Sequence, residues 1–459
     1  MTKYTALVSE TQTTDAMLRA RAERVVPGGM WGHLNAARLP EGYPQFFASA
    51  EGCRVRDVDG REYVDFMCSW GPVLLGHRHL EVQAAAEAQA ARGDCLNGPG
   101  EVMVELAEDL VAMVPHADWA MFQKNGGDAT TGCVTIARAG TGRRKVLVAR
   151  GSYHGALPWC SPSVAGVTTE DRAHLLHFEY NDVESLRAAV DEAGKDLAAI
   201  LVTAFRHDMG RDLELPTREF ADAARAACDA ADAALIIDEV RTGLRLDVRG
   251  SWETLGVRPD LCAWSKAIAN GYALAAITGN NRFREAATRV FITGSFWCGT
   301  VAMAASRATL RIARETDVPG HIRAMGLRLR EGLALLANES GIAIRQSGPP
   351  QMPLMLFDAD PGAGKGRAFC SAALRHGAFF HPQHNMFLSA AHHAADIDEA
   401  LEAASHGFKA VRDLDNRATA GSASADRFSS RTIEIAVRIR TRIETGADAF
   451  PRRSGPASR

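Results

Sequence analysis

Residues 233–280 read AALIIDEVRTGLRLDVRGSWETLGVRPDLCAWSKAIANGYALAAITGN. The apolar run AALII has the length of one buried strand, and two acids, Asp238 and Glu239, close it abruptly. In an open α/β sheet, ligands bind outside the carboxyl ends of the strands, so Asp238 is placed to face a crevice. Lys266 follows 28 positions later, in AWSKAIANGYALAA, among small and apolar neighbours. Such company disfavours the charged ammonium, lowers its pKa and frees an amine that can form a Schiff base with an aldehyde. Taken singly, each residue has a plainer reading. A strand-end aspartate caps a helix or pairs with a cation, and a lysine of this kind snorkels to the surface.

A third stretch, KNGGDATTGCVTIARAGTG from Lys124, makes the pair specific. Asn125, Gly126 and Gly127 precede a helix expected to begin near Ala129. Glycines let the backbone approach an anion, and a helix N-terminus offers free N–H groups and a positive dipole end. Alone, glycines before a helix are ordinary turn chemistry. A phosphate cradle, a Schiff-base lysine and an acid that keeps a pyridine nitrogen protonated are together the requirements of pyridoxal 5′-phosphate. On this reading Asp238 and Lys266 hold opposite ends of one ring.

The rest of the chain suits such a site. Its 459 residues allow a large core and more than one domain, with 46% hydrophobic and 23% charged residues. A net charge of −3 gives no basic field for nucleic acid or a membrane surface. The first residues lack a signal-peptide core, and no apolar run reaches the length of a membrane span. The nine cysteines (53, 68, 95, 133, 160, 228, 262, 298 and 370) are scattered and never form C-x-x-C. They read as reduced thiols of a soluble cytoplasmic protein, with no zinc site and no disulfide framework.

MLRARAERVVPGG, from Met17, reads as a short helix stopped by Pro27 and its glycines, and CRVRDVDGREYVDFM reads as a hairpin turning at Asp59-Gly60. Beyond residue 79, helical stretches such as HLEVQAAAEAQAARG, GEVMVELAEDLVAMV and LPTREFADAARAACDAA alternate with the apolar runs KVLVA, AAILVTA and AALIID. The fold class expected is α/β: a mostly parallel sheet of seven strands between helices, plus a smaller α+β domain. The division expected is 1–78 as the N-terminal part of the small domain, 79–305 as the large domain and 306–415 as the C-terminal part of the small domain. Residues 416–459, linker-like and then rich in alternating isoleucine and arginine, are expected to be an appended, poorly ordered tail.

From about 17 to 412 the sequence resembles the class III aminotransferases of fold type I, in the branch that contains glutamate-1-semialdehyde aminomutase. The motifs that carry the resemblance are VPGG, DVDGREYVDFMCSWGPVLLGH, NGGDAT, ARAGTGRRKVLVARGSYHGA, IIDEVRTGLR, LCAWSKAIANGY and GSFWCGTVAMAAS. The resemblance implies that Tyr153 stacks on one face of the pyridine ring, with His154 beside it in the cofactor wall, and that Val240 packs on the other face. It places Gly126 and Gly127 on the family's phosphate turn. It places Ser295, with Phe296 beside it, at the phosphate-binding position donated by a neighbouring subunit, and so implies a homodimer with shared active sites.

Departures from the aminomutase narrow the function. His384 stands where that enzyme has a glutamate, GSFWCGT replaces its small lid stretch, and Thr203-Ala204 replaces its Glu-Pro. Together with PGGMWGH, PQFF, HADWAMF, FRHD and HPQHNMFLSAAH, these features look most like the fumonisin-type aminotransferases. That likeness implies transfer from a bulky or long-chain amine, fumonisin-type aminopolyols included, to a keto acid, with pyruvate giving alanine. Trp31, Trp70, Phe296 and Trp297 are the candidate substrate contacts, each equally at home in a core. Arg206 and Arg241 are candidates for a substrate carboxylate, with structural ion pairs as the alternative. His381, His384, His392 and His393 lack the cysteine or carboxylate spacing of a metal site and read as satisfied polar residues. An intramolecular aminomutase and a catalytically silent scaffold remain the alternatives.

Overall fold

The computed structural model describes residues 13–417. The N-terminal segment forms helix α1 (Thr14–Val25) and the strands β1 (Phe47–Glu51), β2 (Arg54–Asp57) and β3 (Glu62–Asp65). The β2–β3 hairpin pairs Arg54 with Val64 and Arg56 with Glu62, as the Asp-Gly turn requires. Asp57 Oδ1 clamps that turn by accepting from the N–H groups of Asp59 and Arg61 at 3.0 and 2.9 Å. Helices α2 (Leu80–Ala90) and α3 (Glu101–Met113) follow and bury apolar stripes such as Leu106 and Leu110.

Strands β4 (Trp119–Gln123), β5 (Lys145–Ala149), β6 (Leu175–Phe178), β7 (Leu197–Thr203), β8 (Ala234–Asp238), β9 (Leu261–Trp264) and β10 (Ala275–Gly279) form one sheet. Its order is β4-β10-β9-β8-β7-β5-β6, and only β10 runs against its neighbours. Every residue of β7 and β8 is buried, which is why both read as continuous apolar runs. Helices α4 (Gly126–Thr141), α5 (Val183–Ala193) and α6 (Arg218–Ala231) cover the sheet, and α7 (Arg284–Arg289) packs beside α4.

Strand alternation splits the core. Ala199, Leu201, Ala234 and Ile236 join the cluster that contains Ala129, Cys133 and Ile136 of α4. Ile200, Val202, Leu235 and Ile237 join the opposite cluster, with Phe220 and Ala224 of α6.

Helices α8 (Thr300–Glu315) and α9 (Val318–Ser340) lead to the hairpin β11 (Ile344–Ser347) and β12 (Leu354–Phe357), then α10 (Gly364–Arg375) and β13 (Ala378–Phe379). Strand β13 lies parallel on β3, Ala378 against Val64, so both ends of the described chain share one sheet. A final helix spans 394–417. Most of the expected tail therefore lies outside the described residues. Among the described residues, no helix is long and apolar enough to cross a membrane.

Candidate active site

The parity that turns Ile236 toward α4 carries Asp238 to the same side, at the carboxyl edge of the sheet. There the start of α4, the segment after β5 and the loops after β8 and β9 enclose a cavity of about 400 Å³. Asn125, Gly126, Gly127, Tyr153, His154, Asp238, Val240 and Lys266 all line it. A larger groove of about 690 Å³ runs between α2, α3 and α8, but alanines and ion-paired arginines line it and it has none of these groups. The chemistry belongs to the smaller cavity.

Asp238 is 5% exposed. Its Oδ1 accepts from the N–H of Val240 at 3.0 Å, and its Oδ2 lies 2.8 Å from Nδ1 of His154. Nε2 of His154 lies 3.0 Å from Ser152 Oγ, so the carboxylate is held from behind by the wall of the cavity. Glu239, one residue on, projects into the core instead. It accepts from Ser251 N and Oγ, both at 2.6 Å, and from Thr242 Oγ1 at 2.5 Å, which pins the loop carrying Val240 and Arg241.

Lys266 opens a short turn after β9 with φ +50°, a conformation uncommon for a non-glycine residue. Burial pushes its ammonium pKa down to about 7, Arg241 and Arg245 add to the shift, and Asp238 opposes it. A Cβ at Gly71 would stand 3.4 Å from Lys266 Cδ and 3.0 Å from the Phe387 ring, so the lysine stem runs through a close-fitting passage.

Helix α4 begins at Gly126 rather than near Ala129, so both glycines belong to its first turn. The cause is a reciprocal cap: the Asn125 N–H and Nδ2 donate to Asp128 Oδ2 at 2.9 and 3.2 Å, and the Asp128 N–H donates to the Asn125 carbonyl at 3.0 Å. A Cβ on Gly126 would meet Val240 Cγ1 at 2.5 Å, and one on Gly155 would meet Gly127 Cα at 2.8 Å. Thr130 Oγ1 donates to the His154 carbonyl at 2.6 Å, tying this turn to the Tyr153-His154 wall.

These features fit pyridoxal phosphate. The bare N–H groups of a helix start suit its phosphate, the backed carboxylate of Asp238 suits a pyridinium nitrogen, and the deprotonatable Lys266 suits its aldehyde.

Of the other residues singled out from the sequence, Arg241 also lines this cavity, and the rest do not within the chain. Ser295 is exposed, Trp31 and Phe296 are 66% and 65% exposed, and Trp297 folds against Gly294 of its own loop. Trp70 lines a different, apolar cavity of about 430 Å³ with Phe47 and Phe379. Its ring packs against His33, His381 and His384, with centroids 4.7, 5.4 and 4.9 Å away. Backbone groups engage the small-domain histidines. His381 Nδ1 accepts from the His384 N–H at 2.8 Å, His384 Nδ1 lies 2.8 Å from the Asn385 carbonyl, and His392 Nδ1 accepts from the Ser389 N–H at 3.0 Å. Among the described residues, no three metal-ligating side chains cluster.

Sequence reasoning missed Arg245. It is fully buried and donates to the carbonyls of Leu388, Gly71 and Val73 at 2.6, 2.7 and 2.8 Å, fastening three chain segments beneath Lys266. Only its place between Leu244 and Leu246, seven residues after Asp238, hinted at it.

Comparison with known proteins agrees with this geometry. The family model for aminotransferase class-III matches residues 38–408. The chain is 49% identical over 394 residues to the aminopentol aminotransferase of Sphingopyxis macrogoltabida, covering 86% of this chain and 93% of that one. It is 32% identical to a glutamate-1-semialdehyde 2,1-aminomutase of Desulfitobacterium hafniense, covering 85% and 97%. The solved structure of the FumI protein of Sphingopyxis sp. MTA144, in its PLP internal aldimine form, superimposes with a TM-score of 0.86 at 48% identity, covering 86% of this chain and 96% of that one. The chain belongs to the class III aminotransferases and is an enzyme that transfers amino groups with pyridoxal phosphate.

Proposed function

We propose that this aminotransferase takes the amino group of a bulky or long-chain amine and passes it to a keto acid, pyruvate giving alanine. The carrying observation is the 49% identity, across most of both chains, to an aminopentol aminotransferase. The apolar cavity beside Trp70 supports the same reading, since a long hydrocarbon body needs such a surface. Family membership removes the silent scaffold as an alternative.

When bound, pyridoxal phosphate supplies an electron sink for the carbon that bears the nitrogen. Asp238 keeps the proton on the pyridine nitrogen, and His154 fixes the carboxylate that does so. Lys266 Nζ, its pKa lowered to about 7, would be the base that takes and returns the proton at the substrate carbon. Asn125, Gly126 and Gly127 hold the phosphate. Tyr153 and Val240, which line the cavity, would flank the ring, with Val240 packed close against Gly126.

Ser295 and Phe296 complete the phosphate site from a second copy of the chain, and Trp31, Trp70, Phe296 and Trp297 bound the amine. The exposed apolar loop supports this homodimer, with Phe291 94% and Phe296 65% exposed in the single chain. We keep the division at residues 78, 305 and 415. Nine free cysteines support a reducing compartment such as the cytoplasm.

The test is product stoichiometry. Incubation with a long-chain amine and pyruvate should yield ketone and alanine in equal amounts over many turnovers, and without pyruvate no alanine and at most one ketone per site. Rearranged amine formed without any keto acid would assign intramolecular transfer instead.

A further inference from the structure

Three arginines sit around the cavity, and their partners differ. Arg206 is held by Glu214, Nη1 to Oε2 at 2.9 Å. Arg245 spends its N–H groups on three backbone carbonyls. Arg241 lines the cavity with Lys266, and its Nη1 donates to the neutral amide oxygen of Asn385 at 2.8 Å. Among the described residues it forms no ion pair within 4.0 Å, which sets it apart from Arg206, and its Nε, like those of Arg206 and Arg245, has no acceptor. Asp238, its nearest acid by charge coupling, is already engaged by His154 and the Val240 N–H. Asp208 lies 3.9 Å from Arg206.

A half-buried guanidinium hydrogen-bonded only to a neutral amide leaves its charge without an anionic partner, and its planar fork matches a carboxylate. The surrounding histidines do not share the positive charge. Burial and the nearby Arg241 hold His207 and His384 well below the usual histidine range. Burial lowers Arg241 itself only to about 10, so it stays protonated at neutral pH.

We propose that Arg241 determines acceptor specificity: its guanidinium binds the carboxylate of the 2-keto acid, and Asn385 holds the fork in place. The assignment rests on the amine-to-keto-acid reading above. It also explains how one cavity serves two unlike substrates. The amine donor brings no carboxylate and leaves Arg241 on Asn385, whereas the acceptor supplies the anion that the arginine lacks.

The experiment separates the two halves of the reaction by stopped-flow absorbance on the cofactor-loaded protein. The wild type and Arg241→Gln are each converted by an amine, then mixed with pyruvate or with propanal, which has the reacting carbonyl but no carboxylate. Arg241→Gln should weaken the apparent affinity for pyruvate by about 10- to 100-fold, the effect of losing charge-assisted hydrogen bonds. The amine half-reaction and the propanal reaction, which feel Arg241 only through its charge beside Lys266, should fall much less than the pyruvate reaction. Arg241→Lys, which keeps the charge without the fork, should recover part of the loss. Unchanged pyruvate affinity, or equal losses with pyruvate and propanal, would overturn the assignment. A wild-type protein that accepts no keto acid would sink the reading of the reaction itself, before any variant is compared.

Discussion

At the residue scale, the site depends on a lysine that gives up its proton near neutrality and an aspartate fixed by His154 and the Val240 N–H. Because burial and Arg241 bring Lys266 down to about 7, its free amine is scarce below that pH and abundant above it. The rate at which cofactor-free protein takes up pyridoxal phosphate should therefore rise about tenfold per pH unit up to about 7 and then level off. A profile that keeps climbing to pH 10 would mean an ordinary, solvated lysine. Asp238→Asn should lower turnover by about a hundredfold or more while the cofactor still binds, since the change removes charge from a buried, preorganised carboxylate. Turnover within a few-fold of wild type would take the aspartate out of the mechanism.

At the element scale, the start of α4 is the critical join. Gly155 has φ +127°, and a Cβ there would lie 2.8 Å from Gly127 Cα, backbone against backbone. Gly155→Ala should therefore cost about 1–3 kcal/mol in thermal or denaturant unfolding and weaken cofactor binding as the turn shifts. Gly127→Ala, whose Cβ meets Gly155 Cα only at 3.5 Å, should be much milder in the same melts. Equal melting of the two variants would mean that the close approach is not what holds the turn.

This join also shows how far sequence could be read. Strands β5 and β8 were legible because parallel strands buried on both faces leave unbroken apolar runs. The start of α4 was placed too late because two glycines look like a break, although the Asn125 and Asp128 spacing already encodes the reciprocal cap. Asp238 and Lys266 were legible through their setting. The inward turn of Glu239, the three-carbonyl grip of Arg245 and the solitary Arg241 depend on partners 12 to 174 residues away. No local pattern announces such partners. The pairing of β13 with β3 is hidden for the same reason.

At the scale of the whole molecule, the family match ends at residue 408 and the cavity is built entirely before it. Deleting 418–459 should leave turnover and the homodimer proposed above unchanged in rate and sedimentation assays. A monomeric or inactive truncation would give those residues a part in the assembly. The central claim is that Lys266 and Asp238 serve transfer from a bulky amine to a keto acid. It is tested most directly by adding long-chain amines, without any keto acid, to the cofactor-loaded protein and following its visible absorbance. Bleaching by these amines, reversal by pyruvate with one alanine formed per site, and no such cycle in Lys266→Ala are the results expected. A cycle that survives in Lys266→Ala, or bleaching by amino acids alone with long-chain amines inert, would contradict the account.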